Sequence, residues 1–402
     1  MSKKSKWANT LFRLRLSLSL SNPFKNNILN KLSTVSKRYS FLTNKIKIIT
    51  LFLILLSIAG CWDVSEIDRT RFPTYITFDQ KADDAYLFST KIPVLKEEAP
   101  EEVSNFKFSG PSLHTAFKDL QPRVMGKLSL AMLRIVIFSE AVAQEGLKPH
   151  LDFFLRDPIV PGNTLFAITP GRAEEIIDIE VAPTHNVGEY LELLFYGAVD
   201  DLILPEITLN DFFISLLTTG IDPIIPLLKY GEDDIEVKGV AIFKGDQMVG
   251  KLREKETRAL VLLKEKNLKG EVEIKIEDEI VNYYIQNNRV KIEPDFKDGK
   301  LKFEIELTID ADVDEDTTFR RLIDSPLTIE ELEQQLSSNL KREIYLLFDI
   351  LQELKSDPIG LGQITRAKHF ELYDPDDWIQ DFSRAKIEVN INSRIRRLGI
   401  AT

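Results

Sequence analysis

A mixed α+β fold in more than one domain is what this chain of 402 residues predicts. Three observations carry the prediction. Short β-branched runs alternate with short amphipathic segments through the first half, as in a mixed α/β unit. The second half turns to long alternating segments, the pattern of an antiparallel sheet with one polar face. One long stretch beside them keeps a single apolar stripe at helical spacing.

The elements follow in order. "FPTYITFD" (Phe72 to Asp79) and "AYLFSTKIPV" (Ala85 to Val94) predict two strands joined by the polar hairpin loop "QKADD". "KEEAPEEVSN" (Lys96 to Asn105) predicts an exposed loop, and "PSLHTAFKDL" (Pro111 to Leu120) a helix with proline at its start. "LRIVIF" (Leu133 to Phe138) predicts a buried strand, with Ser139 capping a short helix that Gly146 ends. "LKPHLDFFLRDP" predicts a helix stopped by Pro158, "NTLFAIT" a strand, and "GRAEEIIDIE" a further helix.

Residues 186–230 change character. "NVGEYLELLFYGAVDD" and "TLNDFFISLLTTG" predict two helices, and "DPIIPLLKYGEDD" (Asp222 to Asp234) a connector rich in turn residues. The predicted domains are therefore 61–235, with a helical part at 186–230, and 236–402. The second opens with a hairpin around "KGDQ" (Lys244 to Gln247), then a helix, "ETRALVLLKEK". "EVEIKI", "IVNYYIQNNRVKIEP" and "KLKFEIELTIDADV" predict the meander. In the long helix Ile329, Leu332, Leu336, Leu340, Ile344, Leu347, Leu351 and Leu354 share one face, and Thr328 with Glu331 predicts a capping box. That face serves to cover the sheet, which needs one covered face, or to dock a partner helix. "KIEVNINSRI" closes the fold as a strand.

The first 60 residues stand apart. They carry 11 Lys or Arg and no acidic residue. The remainder has 63 acidic residues against 52 less those 11 basic ones, a net charge of about −22. Such a body is repelled by phosphate, which argues against nucleic acid as a partner. Ile48 to Gly60 is apolar apart from Thr50 and Ser57. A spanning helix needs about 20 such residues, so a basic flank, short apolar core and small terminal residues predict a secretory signal over 1–60, removed on export. The basic region is longer than an export signal needs, which implies a start downstream of Met1.

Cys61 is the only cysteine. One thiol excludes a disulfide framework and any two-thiolate metal site. "IAGC" (Ile58 to Cys61) resembles the lipobox of bacterial lipoproteins. That resemblance implies cleavage between Gly60 and Cys61, a diacylglycerol on the Cys61 thiol, N-acylation of the new terminus, and membrane attachment through the lipid. Small Ala59 and Gly60 suit a peptidase cleft, and two acyl chains give an anchor that one chain does not. His114, His150, His185 and His369 are scattered without metal-ligand spacing, and no nucleophile elbow, P-loop or dinucleotide fingerprint occurs. No catalytic site, metal or other cofactor is predicted.

Several segments together resemble the Ger(x)C family, the lipoprotein C subunit of spore nutrient-germinant receptors. They are "CWDVSEIDRTRFPTYITFD" (Cys61 to Asp79, with Trp62 and Asp63), "LRIVIFSEAVAQEGLKPHLDFFLRD" (Leu133 to Asp157, ending on Arg156 and Asp157), the "VKGVAIFKGDQMVGKL" hairpin, and the stretch Leu351 to Gly399. In the last, Gln352, Lys355, Asp357, Gly360, Gly362, Trp378, Phe382, Val389, Arg396 and Gly399 match in order. Ala131 and Met132 stand where the family often carries a histidine.

Asp357 and Pro358 end the long helix, Gly360 and Gly362 permit a tight reversal, and Trp378 and Phe382 share one helical turn. These residues read as a helix-to-strand corner, or as a docking surface for other subunits. The resemblance implies a non-catalytic subunit on the outer face of the spore inner membrane. Its partners would be two integral membrane subunits, one A-type and one transporter-like B-type. Direct contact with the germinant is left open. The competing class is a substrate-binding lipoprotein of a transporter, which shares the signal and anchor but winds parallel α/β lobes.

Overall fold

The computed structural model describes residues 45–52, 69–81, 85–94, 102–179, 187–231, 234–276, 279–297, 300–313 and 328–398. The chain divides into Met1–Ile67 and Asp68–Thr402. In the first unit, residues 45–52 are helical and exposed. The second unit has the mixed α+β architecture of the predicted fold class.

Its strands are β1 (Thr70–Arg71), β2 (Tyr75–Lys81), β3 (Ala85–Val94), β4 (Glu102–Gly110), β5 (Lys127–Leu128), β6 (Ile135–Ser139), β7 (Leu165–Thr169), β8 (Ile224–Tyr230), β9 (Ile235–Lys244), β10 (Gln247–Leu252), β11 (Gly270–Ile276), β12 (Glu279–Lys297), β13 (Lys300–Val313) and β14 (Lys386–Leu398). Its α-helices are α1 (Leu113–Leu120), α2 (Glu140–Glu145), α3 (Lys148–Arg156), α4 (Val187–Asp200), α5 (Leu209–Leu217), α6 (Glu254–Lys264), α7 (Ile329–Leu354), α8 (Leu361–Lys368) and α9 (Trp378–Arg384).

Eight strands form one sheet in the order β10-β9-β8-β7-β6-β2-β3-β4. The pairs β2–β6, β6–β7 and β7–β8 are parallel, and the flanking pairs are antiparallel. Both faces of the parallel centre are covered, which is why β6 and β7 read as unbroken apolar runs. Val136, Phe138, Phe166 and Ile168 point into one cluster, and Ile135, Ile137, Leu165 and Ala167 into the other. The first cluster is rich in phenylalanine: the rings of Phe78 and Phe138 lie 4.7 Å apart, and those of Phe212 and Phe243 5.5 Å. The second cluster continues without a break from β6 into β12, β13 and α7.

The second sheet runs β11-β12-β13-β14, antiparallel except for the parallel pair β13–β14. Helices α7, α8 and α9 all lie between β13 and β14 in the chain, which gives the last strand room to return in the parallel sense. The stripe of α7 is buried at Leu332, Leu336, Leu340, Ile344, Leu347 and Leu351, so it covers this sheet.

Thr328 and Glu331 form the expected box: Glu331 N–H donates to Thr328 Oγ1 at 3.2 Å, and Thr328 N–H to Glu331 Oε2 at 2.8 Å. Thr328→Ala is therefore expected to cost about 1 kcal/mol of stability, read as a lower urea midpoint with an unchanged slope; no change would mean that the first turn of α7 frays freely.

Several elements differ from expectation. The connector at 222–234 contains β8. Its Ile224–Leu228 are buried, and Pro226, which has no N–H to give, sits where the β8–β9 register shifts. Hairpin β9–β10, expected to open the 236–402 domain, pairs with β8 in the first sheet, so hydrogen-bonded strands cross residue 235. Residues 102–105 belong to β4 rather than to a loop, because pairing with β3 extends to Val94↔Glu102. "GRAEEIIDIE" winds as a 3-10 helix, Ala173–Asp178, pinned at its start by the buried Asp79 carboxylate, which accepts from Ala173 and Glu174 N–H at 2.7 and 2.8 Å. Ser139 occupies the N-cap of α2, but its hydroxyl is buried and caps nothing.

Candidate functional site

The stretch with the most specific sequence pattern, Gln352 to Phe382, folds into one buried corner at the end of α7. Lys355 ends the helix in the left-handed region, φ 55°, with Ser356 N–H returning to Leu351 O at 3.1 Å. Asp357 follows and is 1 % exposed. Its Oδ1 accepts from Gly360 and Leu361 N–H at 2.9 and 3.0 Å, and its Oδ2 from Gly362 N–H at 2.8 Å. One carboxylate thus satisfies three amides at the start of α8, donors that a helix leaves without partners. The turn leads first into α8, whose first amides Asp357 accepts, and the corner reaches its strand, β14, only after α9.

Asp222, from the segment before β8, locks this corner to the first sheet. Asp357 N–H donates to Asp222 Oδ2 at 2.9 Å, and Asp222 N–H to Asp357 O at 2.9 Å. Gly245 N–H, in the β9–β10 turn, donates to Asp222 Oδ1 at 3.1 Å, and Ser356 Oγ donates to Phe243 O at 2.6 Å. Burial pushes the Asp357 carboxyl up to about 7, against the pull of its amide donors, and the Asp222 carboxylate pushes the same way. Burial likewise raises Asp222.

The glycines fit by close approach. A Cβ on Gly362 would lie 2.6 Å from Trp378 Cε2 and 2.8 Å from Gly220 Cα. Gly220 and Gly360 both adopt positive φ, 86° and 83°. Trp378 and Phe382 are buried on α9 with ring centroids 6.2 Å apart, and Trp378 meets Phe303 of β13 at 6.4 Å. Gln352 Nε2, reaching from α7, donates to Phe382 O and Ala385 O, both at 2.9 Å.

The corner brings together Gln352, Asp357, Gly360, Gly362, Trp378 and Phe382. It does not include Arg156 and Asp157, which end α3. There Arg156 Nε pairs with Asp152 at 2.7 Å, and Asp157 Oδ1 accepts from Ile159 N–H at 3.0 Å. Gly60, Cys61, Trp62 and Asp63 lie outside the described residues. Sequence reasoning missed Asp222, Gly220 and Ser356; the first two lie in and beside the segment read as a connector.

Among the described residues no group of three or more His, Cys, Asp or Glu is placed to hold a metal. What the corner can do is mechanical: it ties the α7–α8 turn to Asp222 and to the β9–β10 hairpin.

Residues 63–230 match the family described as "Spore germination protein N-terminal domain", and residues 238–399 match "Spore germination B3/GerAC like, C-terminal". The chain belongs to the Ger(x)C family of spore germination proteins. It is 22% identical over 355 residues to spore germination protein GerQC of Bacillus cereus, covering 87% of this chain and 98% of that one. With spore germination protein B3 of Bacillus subtilis it shares 20% over 369 residues, 88% of this chain and 98% of the relative. The crystal structure of the GerBC protein has the same fold, with a TM-score of 0.54 at 18% identity, covering 83% of this chain and 99% of the other.

Proposed function

We propose that this chain is the lipid-anchored, non-catalytic C subunit of a spore nutrient-germinant receptor, held at the outer face of the spore inner membrane. The observation that carries the reading is continuity: the family match begins at residue 63, directly after the "IAGC" lipid site, and runs to residue 399 with one short gap. The diacylglycerol on Cys61 supplies attachment for a body in which no described helix is long and apolar enough to cross a membrane. The full-length relatives include spore germination proteins A3, B3 and KC of Bacillus subtilis. In this reading the partners are an A-type and a transporter-like B-type membrane subunit, and the chain assembles or gates them without turnover of its own.

Spores lacking this chain test the reading. Release of dipicolinic acid after a panel of amino acids, sugars and nucleosides is expected to fail for some nutrients and to proceed normally after a non-nutrient trigger. Restoring the chain as Cys61→Ala is expected to leave the defect in place, and labelled palmitate to enter only the wild-type chain. Normal release after every nutrient would sink the receptor role.

A further inference from the structure

The turn that leads into β5 is built against the first described residues of the second unit. β1 and β5 pair in parallel, Thr70 beside Lys127 and Arg71 beside Leu128, and Ser129 N–H donates to Arg71 O at 3.0 Å. Gly126 adopts φ 113°, and a Cβ there would collide with Arg69 O, so the close approach requires glycine. Gln121 closes the turn from within: its Nε2 donates to Gly126 O at 2.7 Å, and its Oε1 accepts from Leu128 N–H at 3.0 Å. Val124, Leu128 and Leu130 are buried in the phenylalanine-rich cluster. The intervening Arg123, Met125 and Lys127 face outward, and Met125 is 76 % exposed. A pinned turn thus holds a large apolar side chain in water between two cations.

The charge here is opposite to that of the rest. From Val103 to Ser139 the chain carries Lys107, Lys118, Arg123, Lys127 and Arg134 against Asp119 alone. Lys107 and Arg134 are paired, with Glu174 and Glu192. Among the described residues Arg123 reaches only the Lys107 carbonyl, at 3.4 Å, and Lys127 has no charged partner. The whole body from Cys61 onward sums to about −22. An anionic bilayer repels such a body and attracts this turn.

Chain length brings the two together. Arg69 stands eight residues after Cys61, and a chain of that length spans at most about 28 Å. With Cys61 lipidated, the turn built on Arg69 is held within reach of the headgroups.

We infer that the turn from Gln121 to Leu128 is a membrane-contact surface, with Arg123 and Lys127 against anionic lipid headgroups and Met125 dipping between them. The inference rests on the lipid-anchor reading and adds to it a second contact, which sets the face that the acidic body turns to the bilayer. A lipid tether alone leaves the body free to rotate; a basic and apolar turn beside the tether holds one orientation.

Methionine methyl groups test this directly. Met125, Met132 and Met248 are the only methionines after Cys61, and Met248 is buried. The mature lipidated chain, with carbon-13 in those methyls, is placed on phosphatidylglycerol discs and on phosphatidylcholine discs, each carrying a paramagnetic ion on a fraction of its headgroups. On phosphatidylglycerol the Met125 signal is expected to broaden beyond detection while Met248 stays sharp. It should reappear on phosphatidylcholine, and on phosphatidylglycerol at about 1 M salt, where the screening length falls to about 3 Å. Arg123→Glu and Lys127→Glu together, both on exposed side chains, should restore the signal on phosphatidylglycerol.

Flotation and the mass of the N-terminal peptide report the anchor separately. A chain that floats with its diacylglycerol but keeps a sharp Met125 on phosphatidylglycerol overturns the contact and leaves the anchor standing. A chain that lacks the diacylglycerol and does not float overturns both. Equal broadening on the two lipids, or undiminished broadening in the double variant, overturns the inference as well.

Discussion

Asp357→Ala is expected to lower the unfolding free energy by roughly 4 kcal/mol, because three buried amides lose their acceptor together. The alanine would leave Gly360, Leu361 and Gly362 N–H facing apolar neighbours, with Trp378 and Ile359 nearby and buried. Asp357→Asn should fall between. Its carbonyl oxygen can serve two amides, but its NH2 would confront the third. Urea unfolding reads the order wild type, Asn, Ala; a loss below about 1 kcal/mol for alanine would mean the amides find other acceptors.

The same residue sets a pH dependence whose sign is fixed. Its carboxyl rises from 3.8 to about 7 on folding. Between those values the folded state binds the proton and the unfolded state does not. Stability from this group is therefore full below about pH 4 and is lost as pH rises toward about 7. Asp222 is raised by the same burial and acts in the same direction. Unfolding midpoints of wild type should thus decline relative to Asp357→Asn across that window. Parallel curves would show that the three amides hold Asp357 ionised throughout.

What could be read in the sequence was local. The stripe of α7, the Thr328–Glu331 box, the Lys244–Gln247 hairpin turn and the three meander strands all follow from spacing within one element. The Asp357 turn was visible as a helix end followed by Pro358, Gly360 and Gly362. Its function as a tie to the first sheet was not, because Asp222 lies 135 residues away and nothing near it marks a partner. The strand β8 was hidden for a related reason. Pro226 argues against a strand interior by local rules, and only the register shift beside β9 accommodates it. Sheet order across residue 235 and the parallel return of β14 are likewise decided by packing between elements.

The other large effect comes from a pair that spacing could not reveal. Arg258 on α6 and Glu343 on α7 are each 6 % exposed and meet through two hydrogen bonds, Arg258 Nη2 to Glu343 Oε1 at 2.6 Å and Nε to Oε2 at 3.2 Å. Neighbouring positions on both helices are apolar and buried: Ala259, Leu260, Leu340, Ile344 and Leu347. Removing one partner strands a charge there. Arg258→Met and Glu343→Leu should each cost about 3–5 kcal/mol, while the double substitution should return to within about 1 kcal/mol of wild type. The contrast is the test. If the two single losses simply add in the double variant, the charges are satisfied independently and the pair does not join α6 to α7. If the double variant recovers stability, the pair's worth lies in its mutual neutralisation. The α6–α7 contact would then tolerate any two side chains of matching volume, and the ion pair would serve to fix which faces of the two helices meet.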